Sequence, residues 1–145
     1  MSTPLSSTEI NILVVEDNPI DVRMIKWALK AGGFTKEPTV VDDGLPALAL
    51  LRREKEYEYH PYPDLVILDL NLKQVDGPEV LTCIRQTTGL RNMCVAILSS
   101  SPKEVMVSRA ARANGYFTKP DNLMGFRMLD QQIMDCYCRC SSNLQ

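Results

Sequence analysis

Five short apolar runs, separated by stretches with helical spacing, limit what this chain can fold into. The runs are Ile10–Val15, Thr39–Val41, Leu65–Leu68, Met93–Leu98 and Tyr116–Thr118. The first, third and fourth are almost continuously apolar, as strands covered on both faces of a parallel sheet should be. Between the runs, Val22, Ile25 and Leu29 fall at i, i+3, i+7. After the last run, Leu123, Phe126 and Ile133 fall at i, i+3, i+10. Strand alternating with helix predicts an α/β fold, with right-handed crossovers placing helices on both faces of the sheet.

The helix starts are marked locally. Asn18-Pro19 pairs a capping side chain with proline at the first helical position. Asp76-x-x-Glu79 and Ser101-x-x-Glu104 have capping-box spacing, with Pro102 just inside the second. Gly125 within the last helix costs about 1 kcal/mol relative to Ala, so that helix must rely on packing. Arg52 to Pro63 forms a longer polar, aromatic-rich connection. No internal repeat or second domain is visible.

At 145 residues the chain is one domain's worth of sequence. We expect an extended or disordered stretch over 1–9, the domain over 10–137, and a tail over 138–145. Sixteen basic against 18 acidic residues leave a net charge of −2, which gives no electrostatic reason to bind nucleic acid or an anionic membrane. The longest apolar runs are four or five residues, where a membrane span needs about 20. The N-terminus has neither the basic nor the apolar region of a signal peptide. Cys83, Cys94, Cys136, Cys138 and Cys140 are odd in number and unevenly spread. The expectation is a cytoplasmic protein with reduced thiols and no disulfide framework.

In an open parallel sheet, function gathers outside the carboxyl ends of the strands. The first strand ends in Glu16-Asp17, the third in Asp69-Leu70-Asn71, the fourth in Ser99-Ser100-Ser101 and the fifth in Lys119-Pro120. Three carboxylates, a hydroxyl and an ammonium therefore point at one rim. Carboxylates crowded this way raise one another's pKa unless a cation intervenes. Mg²⁺ takes oxygen ligands and keeps several waters, so two or three carboxylates suffice. With the ion bound, a phosphoryl group can approach Asp69 and form an acyl phosphate, its oxygens stabilised by the metal, Lys119 and the Ser99 hydroxyl. Taken singly, each residue has a plainer reading: an Asp at a strand end is ordinarily a turn or cap residue, and a Lys before Pro a solvated one.

The segments ILVVEDNPIDVR, PDLVILDLNL, DGPEVL, AILSSS and NGYFTKP together resemble the receiver domain of two-component response regulators, over about Asn11 to Ile133. The resemblance implies a flavodoxin-like, doubly wound five-stranded sheet of order 2-1-3-4-5. It implies Asp69 as the phosphoacceptor, supplied by a histidine kinase or histidine phosphotransfer protein. Asp17 and Asp69 would ligate Mg²⁺ directly, with the Asn71 carbonyl, and Glu16 would act through water. Ser99 matches the hydroxyl that moves toward the phosphoryl group, Tyr116 the aromatic switch, and Lys119 the phosphate-pairing lysine. The bond from Lys119 to Pro120 is often cis in this family. Glu16 stands where many relatives have Asp, and Lys73 where many have proline, which bears on the rigidity of the loop after Asp69. The long 52–63 connection is similar to single-domain regulators associated with phytochrome-type kinases.

The remaining features read more plainly. Cys136, Cys138 and Cys140 lack the fourth ligand of a structural zinc site and are expected to be inert thiols on a fraying helix end, facing three directions. His60 reads as a solvated loop residue. Trp27, Met24, Met124, Met128 and Met134 read as core or interface. The functional expectation is a stand-alone switch, not an enzyme, whose output is a protein partner or a homodimer formed through the helix after the fourth strand, the fifth strand and the last helix. Two rivals remain: a receiver-like scaffold that takes no phosphate, and a phosphatase of the haloacid-dehalogenase type, whose DxD nucleophile arrangement this chain lacks.

Overall fold

A computed structural model describes residues 9–100 and 112–143. The N-terminal stretch 1–8 and the helix start at Ser101–Glu104 lie outside the described residues. The five strands are β1 (Ile12–Val15), β2 (Thr39–Val41), β3 (Leu65–Asp69), β4 (Cys94–Ser99) and β5 (Gly115–Thr118). All pair in parallel, in the order β2-β1-β3-β4-β5. The described helices are α1 (Pro19–Ala31), α2 (Gly44–Leu51), α3 (Gly77–Gln86) and α4 (Leu123–Asn143).

Side-chain alternation along the strands sorts the core into two layers. Leu13, Val15, Val66, Leu68, Val95 and Ile97 meet Leu48, Leu51, Leu81 and Ile84 of α2 and α3. Ile12, Val14, Leu65, Ile67, Ala96 and Leu98 meet Ile25 and Leu29 of α1 and Phe126, Leu129 and Ile133 of α4. Helices thus cover both faces, and the apolar runs in the sequence follow from that double burial. Truncating a fully buried member such as Leu81 or Ile67 to Ala costs about 2–5 kcal/mol.

The expected caps form. Asn18 Oδ1 accepts from the amides of Ile20 and Asp21 at 2.9 and 3.3 Å, and Asp76 Oδ1 accepts from the Glu79 amide at 3.3 Å. Gly125 has a packing reason to be glycine: a Cβ there would lie 2.4 Å from Pro120 Cβ. The Lys119–Pro120 bond is trans, contrary to the family's frequent cis form; trans is the lower-energy default for an X–Pro bond by about 0.5–1 kcal/mol.

Several expectations are corrected. Leu123 is exposed, so the buried stripe of the last helix begins at Phe126. That helix runs on to Asn143, through the stretch expected to be a tail. Cys136 and Cys140, one turn apart, share its buried face, while Cys138 is exposed. Cys140 is disulfide-bonded to Cys94 at the start of β4, a pairing hidden by a sequence separation of 46. The thiols are therefore not a set of inert surface groups. His60 also does more than face solvent. Its Nδ1–H donates to the Pro61 carbonyl at 3.0 Å, leaving Nε2 to accept from the Thr39 hydroxyl at 3.2 Å, which ties the long connection to β2. Of the residues read as core or interface, Met24 and Met134 pack against the core, while Trp27, Met124 and Met128 are exposed, open to the interface reading.

Candidate functional site

Parallel pairing brings the carboxyl ends of β1, β3, β4 and β5 to one rim, and the side chains named from sequence gather there. Glu16 follows β1, and Asp69 closes β3. Ser99 closes β4, beside Thr118 of β5 in register. Glu16, Asp69 and Ser99 are all buried, and Asp17 is half-buried. Glu16, Asp17 and Asp69 each offer a carboxylate oxygen, and these oxygens lie within 4.8 Å of one another.

Lys119 reaches into this group. Its Nζ lies 2.9 Å from Glu16 Oε1, 2.9 Å from Asp21 Oδ2 and 3.4 Å from Asp69 Oδ2. Burial alone would lower the Lys119 pKa, but the hydrogen bonds and charges of its carboxylate neighbours hold it well above the ordinary lysine range. Its backbone is fixed as well, through the Lys119 amide donating to the Ser99 carbonyl at 2.7 Å.

Four carboxylates face one ammonium, so the cleft is under-neutralised. The strain shows at Glu16, whose pKa is pushed up to about 7, chiefly by burial and further by the negative charge of Asp69, against the lowering pull of Lys119. Glu16 Oε1 is wholly buried and has no aligned hydrogen bond, although Lys119 sits beside it. Three carboxylate groups whose oxygens converge, two of them on buried residues, fit a hard divalent cation. The residues present therefore suit the metal implied by the sequence resemblance.

The loops below the cleft are held by their own bonds. Asp69 Oδ1 accepts from the Asn71 amide at 3.2 Å. Gly77 begins α3 directly against the end of β3: a Cβ there would stand 2.4 Å from the Asp69 carbonyl oxygen. Tyr116 on β5 is half-buried, and its hydroxyl accepts from the Ala113 amide at 2.8 Å.

Two contributors escape a reading of sequence. Asp21, in the first turn of α1, reads there as an ordinary dipole-favoured acid, yet it supplies one of the three carboxylates around Lys119. Asp43, just past β2, is buried and caps α2 through the Gly44 amide at 2.7 Å. The same carboxylate accepts from Lys73 at 3.0 Å, Gln74 at 3.0 Å and Val75 at 2.9 Å. Burial would raise its pKa, but these four amides hold it below the usual carboxylate range. Asp43 therefore anchors the loop after Asn71, where proline is absent. Applying the strand-end rule to β2 as well would have found it.

Comparison with known proteins agrees with this fold. Residues 12–126 match the family model of the response regulator receiver domain. The chain is 41% identical over 124 residues to response regulator Rcp1 of Synechocystis sp., covering 84% of each chain. Among solved structures, the phosphorylated cyanobacterial phytochrome response regulator RcpA is similar at 36% identity and a TM-score of 0.83, covering 90% of this chain and 94% of that one. The Mn(2+)-bound form of Rcp1 is similar at 38% identity and a TM-score of 0.75, covering 86% and 91%. The chain belongs to the response regulator receiver family, whose members are signalling switches that receive phosphoryl groups from histidine kinases.

Proposed function

We propose that this chain is a stand-alone, phosphorylation-controlled switch in a phosphorelay, acting in the cytoplasm, with residues 10–137 as the receiver unit and Asp69 as the phosphoacceptor. One observation carries the reading most strongly: Asp69, buried within a cluster of three oxygen donors, has the Lys119 ammonium 3.4 Å away. Asp17, Asp69 and the Asn71 carbonyl would hold Mg²⁺, with Glu16 acting through water. The bound ion would cancel most of the cleft's negative charge and stabilise the equatorial oxygens of the transferring group.

The chain's own residues then divide the work. An Asp69 carboxylate oxygen attacks phosphorus as the donor's phosphorus–nitrogen bond breaks, and the histidine nitrogen leaves with the electron pair. Lys119 turns from its carboxylate partners to the new phosphoryl oxygens, and the Ser99 hydroxyl donates to another. Movement of Ser99 makes room for Tyr116, which releases the Ala113 amide and repacks the adjoining face. Such a response needs two packings within a few kcal/mol of each other. The readout is a downstream protein or a second copy of the chain, docking on a face that includes β5 and α4. The exposed Leu123, Met124 and Met128 of α4 suit such a contact.

Intact mass after incubation with acetyl phosphate and Mg²⁺ tests the reading. One added phosphoryl group, absent in Asp69→Asn and absent with a chelator, is the expected result. No addition would mark the chain as a scaffold, and sustained turnover of phosphate esters would mark it as a phosphatase.

A further inference from the structure

A second polar concavity lies at the opposite rim, by the amino ends of β4 and β5. This cleft, of about 510 Å³, is lined by Arg85, Arg91, Arg112, Asn114 and Cys140 among others. Arg85 is fixed within it. Its Nε donates to the Arg112 carbonyl at 2.9 Å, Nη1 to the Arg91 and Met93 carbonyls at 3.1 and 2.8 Å, and Nη2 to Asn114 Oδ1 at 2.8 Å. Among the described residues, the lining holds no carboxylate and none of its three arginines is ion-paired. In a chain of net charge −2, this is a local concentration of positive charge built to meet an anion.

Cys140, one of the residues lining the cleft, belongs to a cluster of three cysteine sulfurs. Cys140 is bonded to Cys94, and the sulfur of Cys136 lies within 4.8 Å of both. Cys94 and Cys136 are buried more deeply than Cys140, and only Cys140 of the three lines the cleft. Of the three cysteines, Cys140 is therefore the one a reagent arriving in the cleft reaches first.

We infer that the cleft is a thiol–disulfide exchange site for a small, carboxylate-bearing thiol of the glutathione class. Arg91 and Arg112 hold the carboxylates while the thiolate attacks Cys140 Sγ. A new sulfur–sulfur bond forms to Cys140, the Cys94–Cys140 bond breaks, and Cys94 leaves as a thiolate that takes up the proton released by the incoming thiol. The small thiol is oxidised to the mixed disulfide as Cys94 is reduced, so no further oxidant is needed. The exchange releases the end of α4 from the start of β4. It does not depend on phosphoryl chemistry at the other rim.

The test uses the oxidised full chain carrying Cys83→Ser and Cys138→Ser, which remove the two more accessible free thiols. Adduct formation is followed by mass with glutathione and with 2-mercaptoethanol, an uncharged thiol, compared at equal thiolate concentration. The expected result is a glutathione adduct on Cys140 formed about 10-fold faster than the neutral one. That advantage should shrink to about 2-fold in Arg91→Gln with Arg112→Gln, and in high salt. Equal rates for the two thiols, an advantage that survives the arginine substitutions, or an adduct mapped to Cys94 or Cys136 would overturn the assignment. The arginine variants keep their disulfide, so they decide the matter even if Cys140→Ser does not fold.

Discussion

Replacing Asp43 with Ala should loosen the cleft from outside it. The carboxylate accepts from four backbone amides, one at the start of α2 and three in the loop after Asn71. Loss of the helix cap is worth about 1 kcal/mol. A hydrogen bond to a charged group is worth about 1.5–3 kcal/mol. The loop residues Lys73 and Gln74 are exposed, so water can satisfy their freed amides, and the three loop bonds together count for little more than one. The expected loss is about 3 kcal/mol, or roughly 6–12 °C in melting temperature for a domain of this size. Urea denaturation should show a lower midpoint with an unchanged slope. Asp43→Asn, which keeps one acceptor oxygen, should recover part of the loss. Because the folded pKa of Asp43 lies below its unfolded value, its contribution is fully present above about pH 4 and disappears as the pH falls through the lowered folded value. Mn²⁺ affinity should weaken in Asp43→Ala as the loop carrying Asn71 loosens. A loss under about 0.5 kcal/mol, with metal affinity unchanged, would show that the loop is held by something else.

Other perturbations probe the cleft itself. Gly77→Ala forces a Cβ against the Asp69 carbonyl and Leu70 Cα, both backbone atoms that cannot turn aside; a loss of about 2 kcal/mol or more by urea denaturation is expected. Lys119→Met leaves Glu16, Asp21 and Asp69 without their ammonium, so Mn²⁺ should bind more tightly by calorimetry while phosphoryl uptake falls steeply. In the chelated protein, Glu16 has a folded pKa of about 7 against an ordinary 4.5, so its burial costs stability increasingly as pH rises from 4.5 toward 7. The stability of Glu16→Gln relative to the native chain should therefore rise across that window; a flat difference would contradict it.

Much of this was legible in the chain because it follows from periodicity. Strands such as Leu65–Asp69, buried on both faces, must be apolar throughout, and their parallel pairing sends every carboxyl end to one rim. That rule alone places Glu16, Asp69, Ser99 and Lys119 together. What stayed hidden depends on tertiary approach. Asp21 reads as a helix-start acid until α1 is seen to lean over Lys119. Asp43 goes unremarked in the sequence until the loop at 73–75 closes on it. Cys94 and Cys140 meet only because α4 lies along the sheet, bringing the end of that helix to the start of β4.

The most direct measurement is chemical trapping of the acyl phosphate. The chain is treated with acetyl phosphate and Mg²⁺, reduced with borohydride, digested and sequenced by mass spectrometry. Homoserine in place of Asp69, and at no other aspartate, is the predicted result. Homoserine at Asp17 or Asp21, or a phosphoryl group that resists reduction, would contradict the assignment of Asp69 as the nucleophile.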